Sequence, residues 1–177
     1  APQANLEAAR RLLEQAALAG AELAVLPEYF CAMGRRDEDK LALRERPGDG
    51  PIQRFLAGAA RELGLWIVGG TLPLAGDDPQ RVFNSSLVYS PTGECVARYD
   101  KIHLFRFDNG HEHFDEARTI AAGQDSVRFA LPAREERAPP PGPYRLELAI
   151  RERRLVFHVL TEAAESAVAA RQWRRES

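Results

Sequence analysis

Cysteine, methionine and lysine are all scarce in this chain of 177 residues, and neither sign of charge dominates. Two cysteines, Cys31 and Cys95, are too few for a disulfide framework, and the start lacks the basic, apolar, small-residue order of a secretory signal. A reducing, cytoplasmic setting is therefore expected. No apolar run approaches the ~20 residues that a membrane-spanning helix needs, so no membrane partner is expected. With 24 basic and 26 acidic side chains the net charge is -2, which gives no long-range pull toward nucleic acid or an anionic membrane. A small neutral or anionic substrate fits better. The first methionine is Met33, inside a motif, so the chain is expected to lack its native beginning. What is present is a 45% hydrophobic, 28% charged sequence, enough for one domain with a core and unlike a disordered, collagenous or coiled-coil chain.

Leu6, Ala9, Leu13 and Ala16 recur at helical spacing behind Asn5, which predicts a helix over about 6–19 capped by Asn5 and stopped by Gly20. The run Leu23-Ala24-Val25-Leu26, closed by Pro27, reads as a strand buried on both faces. Charged residues from Arg35 to Arg46, followed by Pro47-Gly48-Asp49-Gly50, read as a loop. Pro51 opens a second helix with Phe55, Leu56, Ala59 and Leu63 inward and Gly64 past its end. Leu65–Leu72 reads as a second buried strand. Val82–Tyr89 and residues 95–99 read as an antiparallel hairpin around Ser90-Pro91-Thr92-Gly93. This order of elements predicts an α/β layered domain over 1–132. Residues 133–177 differ: a Pro- and Arg-rich linker to Pro143, strands around Leu146–Ile150 and Leu155–Leu160, and an Ala-, Glu- and Arg-rich helix from Thr161.

Three ordered segments carry the chemistry. The first is Glu22-Leu23-Ala24-Val25-Leu26-Pro27-Glu28-Tyr29-Phe30, a strand delivering a carboxylate at its end. The second is Asn84-Ser85-Ser86-Leu87-Val88-Tyr89 and, after the turn, Arg98-Tyr99-Asp100-Lys101-Ile102-His103-Leu104-Phe105. The third is Phe114-Asp115-Glu116-Ala117-Arg118-Thr119-Ile120 with Gly123 beyond it. In order and separation this set resembles the carbon–nitrogen hydrolase family of nitrilase-like amidases, over roughly 4–131. Its wording is closest to the Nit-type omega-amidase and deaminated glutathione amidase branch. The resemblance implies a partial α-β-β-α sandwich of the nitrilase type and a Glu, Lys, Cys centre acting on a small carboxamide with ammonia release. Glu28 would be the general base, Lys101 the cation beside the tetrahedral oxyanion, and Glu116 a second carboxylate orienting the lysine and substrate. It implies no cofactor and no metal, and a homodimer, since family members usually pair.

The residue types suit the task. An amide carbonyl is a poor electrophile, so hydrolysis gains from a thiolate, from a base that carries its proton to the departing amine, and from fixed positive charge at the developing oxyanion. Such charge stabilisation is typically worth about 3–4 kcal/mol per donor. Taken alone, Glu28 has a plainer reading as a solvated loop acid, and Asn84 either bonds neighbouring backbone and holds the active-site strand or simply ends regular pairing, the structural role being favoured. Lys101 gains weight because Lys40 is the only other lysine. His103, His111 and His113, with Glu112 and Asp115, are dense in ligand types, but a spacing of two on a loop is not a zinc pattern. His103 is expected to be packed or to cap a neighbouring element.

The pattern departs from the family at the nucleophile. Tyr144–Ile150 is the stretch that resembles the family's cysteine-bearing strand, and Arg151 then occupies the cysteine position. A guanidinium stays protonated and is no nucleophile. Cys31 and Cys95 do not fit by spacing. Three explanations stand: a tail out of frame after about residue 132, a non-catalytic scaffold or interaction module derived from the same fold, or a different alignment of the last strand. The abrupt change in composition favours the first. Family members also begin with a strand ahead of the first helix, so exposed apolar surface is expected here.

Overall fold

The computed structural model describes residues 2–131 except 33, 35 and 37, together with the strand backbones 144–150 and 153–159. The chain divides into two units, 1–129 and 130–177. In the first, α1 (Pro2–Leu18) places Leu6, Ala9 and Leu13 inward. It starts earlier than predicted: Pro2 suits a first helical turn, where a missing N–H has no intrahelical bond to lose, and Asn5 lies inside the helix. A short strand, β1 (Leu23–Val25), follows, and the charged run beyond it contains one helical turn, α2 (Asp39–Ala42). Pro51 opens α3 (Pro51–Leu63), and Gly64, left-handed at φ 63°, closes it by donating its N–H to Ala60 O.

One sheet carries the unit. Its strands are β1, β2 (Trp66–Val68), β3 (Leu72–Ala75), β4 (Val82–Tyr89), β5 (Cys95–Asp100) and, after two further strands, β8 (Ile120–Ala121). The long β4 is its centre: β2 and β3 pair with it antiparallel through its two halves, β5 pairs antiparallel over Ser85–Tyr89, and β8 runs parallel to Val82 and Phe83. The predicted 65–72 strand is thus two strands. Gly69 and Gly70 break it, and Gly70, at φ +54°, lies so near Pro27 that an added Cβ would sit 2.0 Å from its carbonyl oxygen.

The core joins Leu6 and Leu13 of α1, Ile52 and Leu56 of α3, and Ile67, Leu72, Leu74, Leu87 and Tyr89 of the sheet, giving one helical layer on one face of a sheet. Alternation along β4 turns Val82, Asn84 and Val88 to the face opposite Leu87 and Tyr89. β1 is not buried on both faces as predicted: it pairs only with β2, at the end of the strand order, and Val25 is 43% exposed.

A small hairpin, β6 (Arg106–Asp108) with β7 (His113–Asp115), lies outside the main sheet and was not legible beforehand. Asn109 Oδ1 accepts from the N–H of His111 and Glu112 to form its turn. In the second unit, β9 (Tyr144–Ile150) and β10 (Arg153–Val159) pair antiparallel. Arg151, the 133–143 linker and the helix expected from Thr161 lie outside the described residues.

Candidate active site

Three turns of chain bring the candidate residues together. The first follows β1. Leu26 still donates to Val68 O, extending the pairing with β2; Tyr29 then takes a positive φ of 49° and its N–H bonds Thr71 Oγ1 at 2.9 Å. Gly70 allows this close approach, since only a residue without a side chain fits against Pro27. Glu28 is therefore held at a fixed point above the end of the sheet.

The second turn presents Lys101, the residue after β5. Its N–H donates to Asn84 O at 2.9 Å, and its own carbonyl accepts from Gly123 N at 2.9 Å. A Cβ on Gly123 would come within 2.2 Å of Asp100 O, so glycine is required there too. Just before the lysine, Asp100 accepts from Ser85 Oγ at 2.5 Å and Arg98 Nε at 2.9 Å, which fixes the register of β5 on β4.

The third turn is the short 3-10 helix Glu116–Arg118, whose first residue is buried. Glu116 closes the β6–β7 hairpin twice: its N–H bonds Phe105 O at 3.1 Å, and its Oε2 accepts the Phe105 N–H at 2.6 Å. Its other oxygen, Oε1, accepts from Lys101 Nζ at 3.0 Å.

The result is a row of charges. Lys101 Nζ lies 3.3 Å from Glu28 Oε1 and 3.0 Å from Glu116 Oε1, although 73 residues of sequence separate Lys101 from Glu28. The two carboxylates differ in access: Glu28 is 54% exposed, Glu116 only 10%. Partial burial disfavours the ammonium, but its hydrogen bond to Glu116 and the charges of Glu28 and Glu116 outweigh it and hold the lysine pKa above its ordinary value. Lys101 is thus a permanent cation near neutral pH. An ammonium has three donors and two are used by carboxylates, which leaves one for a substrate oxygen.

Glu28 and Glu116 line a cavity of about 430 Å³ together with Tyr29, Cys31, Ala32, Gly34, Arg36, Lys40, Leu43, Pro73 and Phe114. Lys40 lies over the Tyr29 ring, 5.8 Å from its centre. Arg36 and Lys40 belong to the run read from sequence only as a charged loop, and its excess of charge beside Glu28 was the available signal. Asn84, favoured as a structural residue, instead reaches the site: its Nδ2 donates to Glu28 Oε1 at 2.7 Å.

Other candidates stand apart. His103 is exposed rather than packed, because the chain leaving β5 runs along the surface. His111 and His113 are exposed on the β6–β7 hairpin, where His113 Nδ1 is 3.2 Å from Asp108 Oδ2. Cys31 lines the cavity but is fully buried, and burial pushes its thiol up to about 11. Cys95 is exposed on β5 and is not among the lining residues. Among the described residues no helix is long and apolar enough to cross a membrane.

Comparison with known proteins gives the family and the fold. The sequence pattern of the carbon–nitrogen hydrolases matches residues 1–134. The omega-amidase NIT2 of Xenopus tropicalis is 32% identical over 130 residues, covering 72% of this chain and 45% of that protein. The deaminated glutathione amidase of Yersinia enterocolitica is 37% identical over 83 residues, covering 45% of this chain and 29% of that protein. The chain thus spans less than half the length of these relatives. In fold it matches Saccharomyces cerevisiae Nit3, a member of branch 10 of the nitrilase superfamily, with a TM-score of 0.59 and 24% identity over 71% of this chain and 45% of Nit3.

Proposed function

The chain belongs to the carbon–nitrogen hydrolase family, and from that premise we propose that the Glu28–Lys101–Glu116 cluster is the base-and-cation part of an amidase centre for small carboxamides. The observation that carries the reading is the lysine ammonium held at 3.3 and 3.0 Å by two carboxylates that both line a cavity of substrate size. In this reading the carbonyl oxygen of the amide takes the third donor of Lys101, whose charge stabilises the oxyanion as a thiolate adds to the carbonyl carbon. Glu28 holds the thiol proton and passes it to the nitrogen as the C–N bond breaks and ammonia leaves. Water, deprotonated by the same carboxylate, then hydrolyses the thioester to a carboxylate and frees the thiol. Glu116 keeps the ammonium in place.

A finer assignment concerns the acyl group. Arg36 and Lys40 line the same cavity as the two glutamates, which supports an amide whose far end carries a carboxylate, that is, the omega-amide of a short dicarboxylic acid. The omega-amidase relative favours an omega-amide by name.

The thiolate is the part that neither Cys31 nor Cys95 supplies. Cys31 is fully buried and protonated near neutral pH, and Cys95 is not among the cavity-lining residues. With Arg151 at the position of the family cysteine, the chain as sequenced is expected to bind the amide without turning it over. That same expectation favours a second reading, a non-catalytic scaffold.

Calorimetric titration with succinamate and an ammonia-release assay separate the two. The amidase reading expects saturable binding that Lys101→Ala abolishes, and ammonia release once a family-type cysteine strand is restored after residue 132. Absence of binding to any short carboxamide would overturn it in favour of the scaffold.

A further inference from the structure

Asn84 occupies the middle of β4, fully buried, on the face opposite the helical layer. It touches two members of the charge row, Glu28 and Lys101. Its Nδ2 donates to Glu28 Oε1 at 2.7 Å, and its main-chain carbonyl accepts from the N–H of Lys101 at 2.9 Å. One residue thus grips the base by its side chain and the cation by its backbone. The amide orientation follows from chemistry, because the reverse rotamer would set Oδ1 against a carboxylate oxygen.

Two further observations separate this from ordinary packing. Asn84 Oδ1 is buried and has no hydrogen-bond partner among the described residues, so the amide is a poor choice for stability alone. A buried carbonyl oxygen without a donor carries a desolvation cost that an apolar side chain of similar size would not incur. The same Glu28 oxygen also receives Lys101 Nζ at 3.3 Å, so Asn84 and the ammonium converge on Oε1.

We propose that Asn84 is a positioning residue that fixes the Glu28 carboxylate against Lys101, so that Oε1 is occupied by two donors and Oε2 is left to face the reaction. The inference rests on the reading of Glu28 as base, but the positioning itself is measurable without turnover. Without Asn84 the Glu28 side chain, more than half exposed, is free to swing into solvent and leave the ammonium to Glu116 alone.

Lys40 and Lys101 are the only lysines, so ¹⁵N-lysine labelling gives two Nζ signals, assigned with Lys40→Arg. The charge of Glu28 helps hold the Lys101 titration up. Removing the residue that keeps Glu28 there should therefore lower it. In Asn84→Leu the Lys101 midpoint is expected to fall by about as much as in Glu28→Gln, and the double variant to fall no further than Glu28→Gln alone. A native midpoint in folded Asn84→Leu, or additive shifts in the double variant, would overturn the proposal.

Should Asn84→Leu fail to fold, the side-chain amide of Asn84 in the native chain gives a second readout, one of only three asparagine signals. Glu28→Ala should move that signal upfield, and an unmoved signal would equally overturn the proposal. If Lys101 and Asn84 respond as expected but no carboxamide binds, the positioning stands and the amidase reading falls.

Discussion

Replacing Glu116 tests the charge row most sharply in energy. Its carboxylate is 10% exposed and makes two hydrogen bonds, from Lys101 Nζ at 3.0 Å and from the Phe105 N–H at 2.6 Å. A hydrogen bond to a charged group contributes about 1.5–3 kcal/mol, so Glu116→Ala, which removes both, should destabilise by about 3–6 kcal/mol. Glu116→Gln keeps an acceptor for Phe105 and should lose about half of that. Against a total of about 5–15 kcal/mol for a domain this size, the alanine variant approaches the threshold of folding. Urea unfolding followed by circular dichroism measures both, and a cycle with Lys101→Met isolates the pair. The expected coupling is about 1.5–3 kcal/mol. An exposed ion pair contributes only about 0–1 kcal/mol, so an alanine variant inside that range, or a coupling near zero, would refute the buried row.

Other consequences follow from the same contacts. Gly70→Ala should destabilise by more than about 2 kcal/mol, because a side chain there combines a left-handed φ with a clash against Pro27 O, and Glu28 should move with it; a native melting temperature would contradict this. Gly123→Ala should behave likewise, pressing on Asp100 and shifting the Lys101 Nζ signal. Buried Glu45 accepts from Ile52 N, Gln53 N and Gln53 Nε2 at the start of α3. Glu45→Ala should cost about 2–4 kcal/mol in urea unfolding, whereas a surface acid would cost almost nothing. Burial raises the Cys31 thiol from 9.0 to about 11, and Lys101 is held above 10.5. Both groups bind their protons more tightly in the folded state, so their contribution is complete below the unfolded values and is lost as pH rises. The urea midpoint should fall from about pH 9 upward and less steeply in Cys31→Ala; an unchanged midpoint to pH 11 would contradict it. At neutral pH a thiol reagent should label Cys95 in the folded chain and Cys31 only after denaturation.

Much of this arrangement could be read in advance. The period of Leu6, Ala9 and Leu13, the Pro51–Gly64 punctuation and the turn at Ser90–Gly93 are local signals, and α1, α3 and the β4–β5 hairpin follow from them. Gly69–Gly70 reads as part of a buried strand in sequence, since the need for a bend there comes from Pro27, a residue distant in sequence. β1 looked like an interior strand because composition does not say which neighbours are present. The β6–β7 hairpin was hidden in a histidine-rich stretch whose turn depends on Asn109 rather than on apolar alternation. At the site, Glu28, Lys101 and Glu116 were visible as ordered motifs, whereas the reach of Asn84 to Glu28 across 56 residues of sequence has no local signature. Arg36 and Lys40 became cavity-lining residues only once the chain after Glu28 had folded back.

Proximity of the lysine to its carboxylates can be measured directly by zero-length carbodiimide coupling and peptide mass spectrometry. With Lys101 Nζ 3.3 Å from the exposed carboxylate of Glu28, the dominant intrachain product should be an amide joining Lys101 to Glu28, lost in Lys101→Arg. Coupling of Glu28 to Lys40 alone, with Lys101 unmodified in the folded chain, would contradict the convergence on which the account stands.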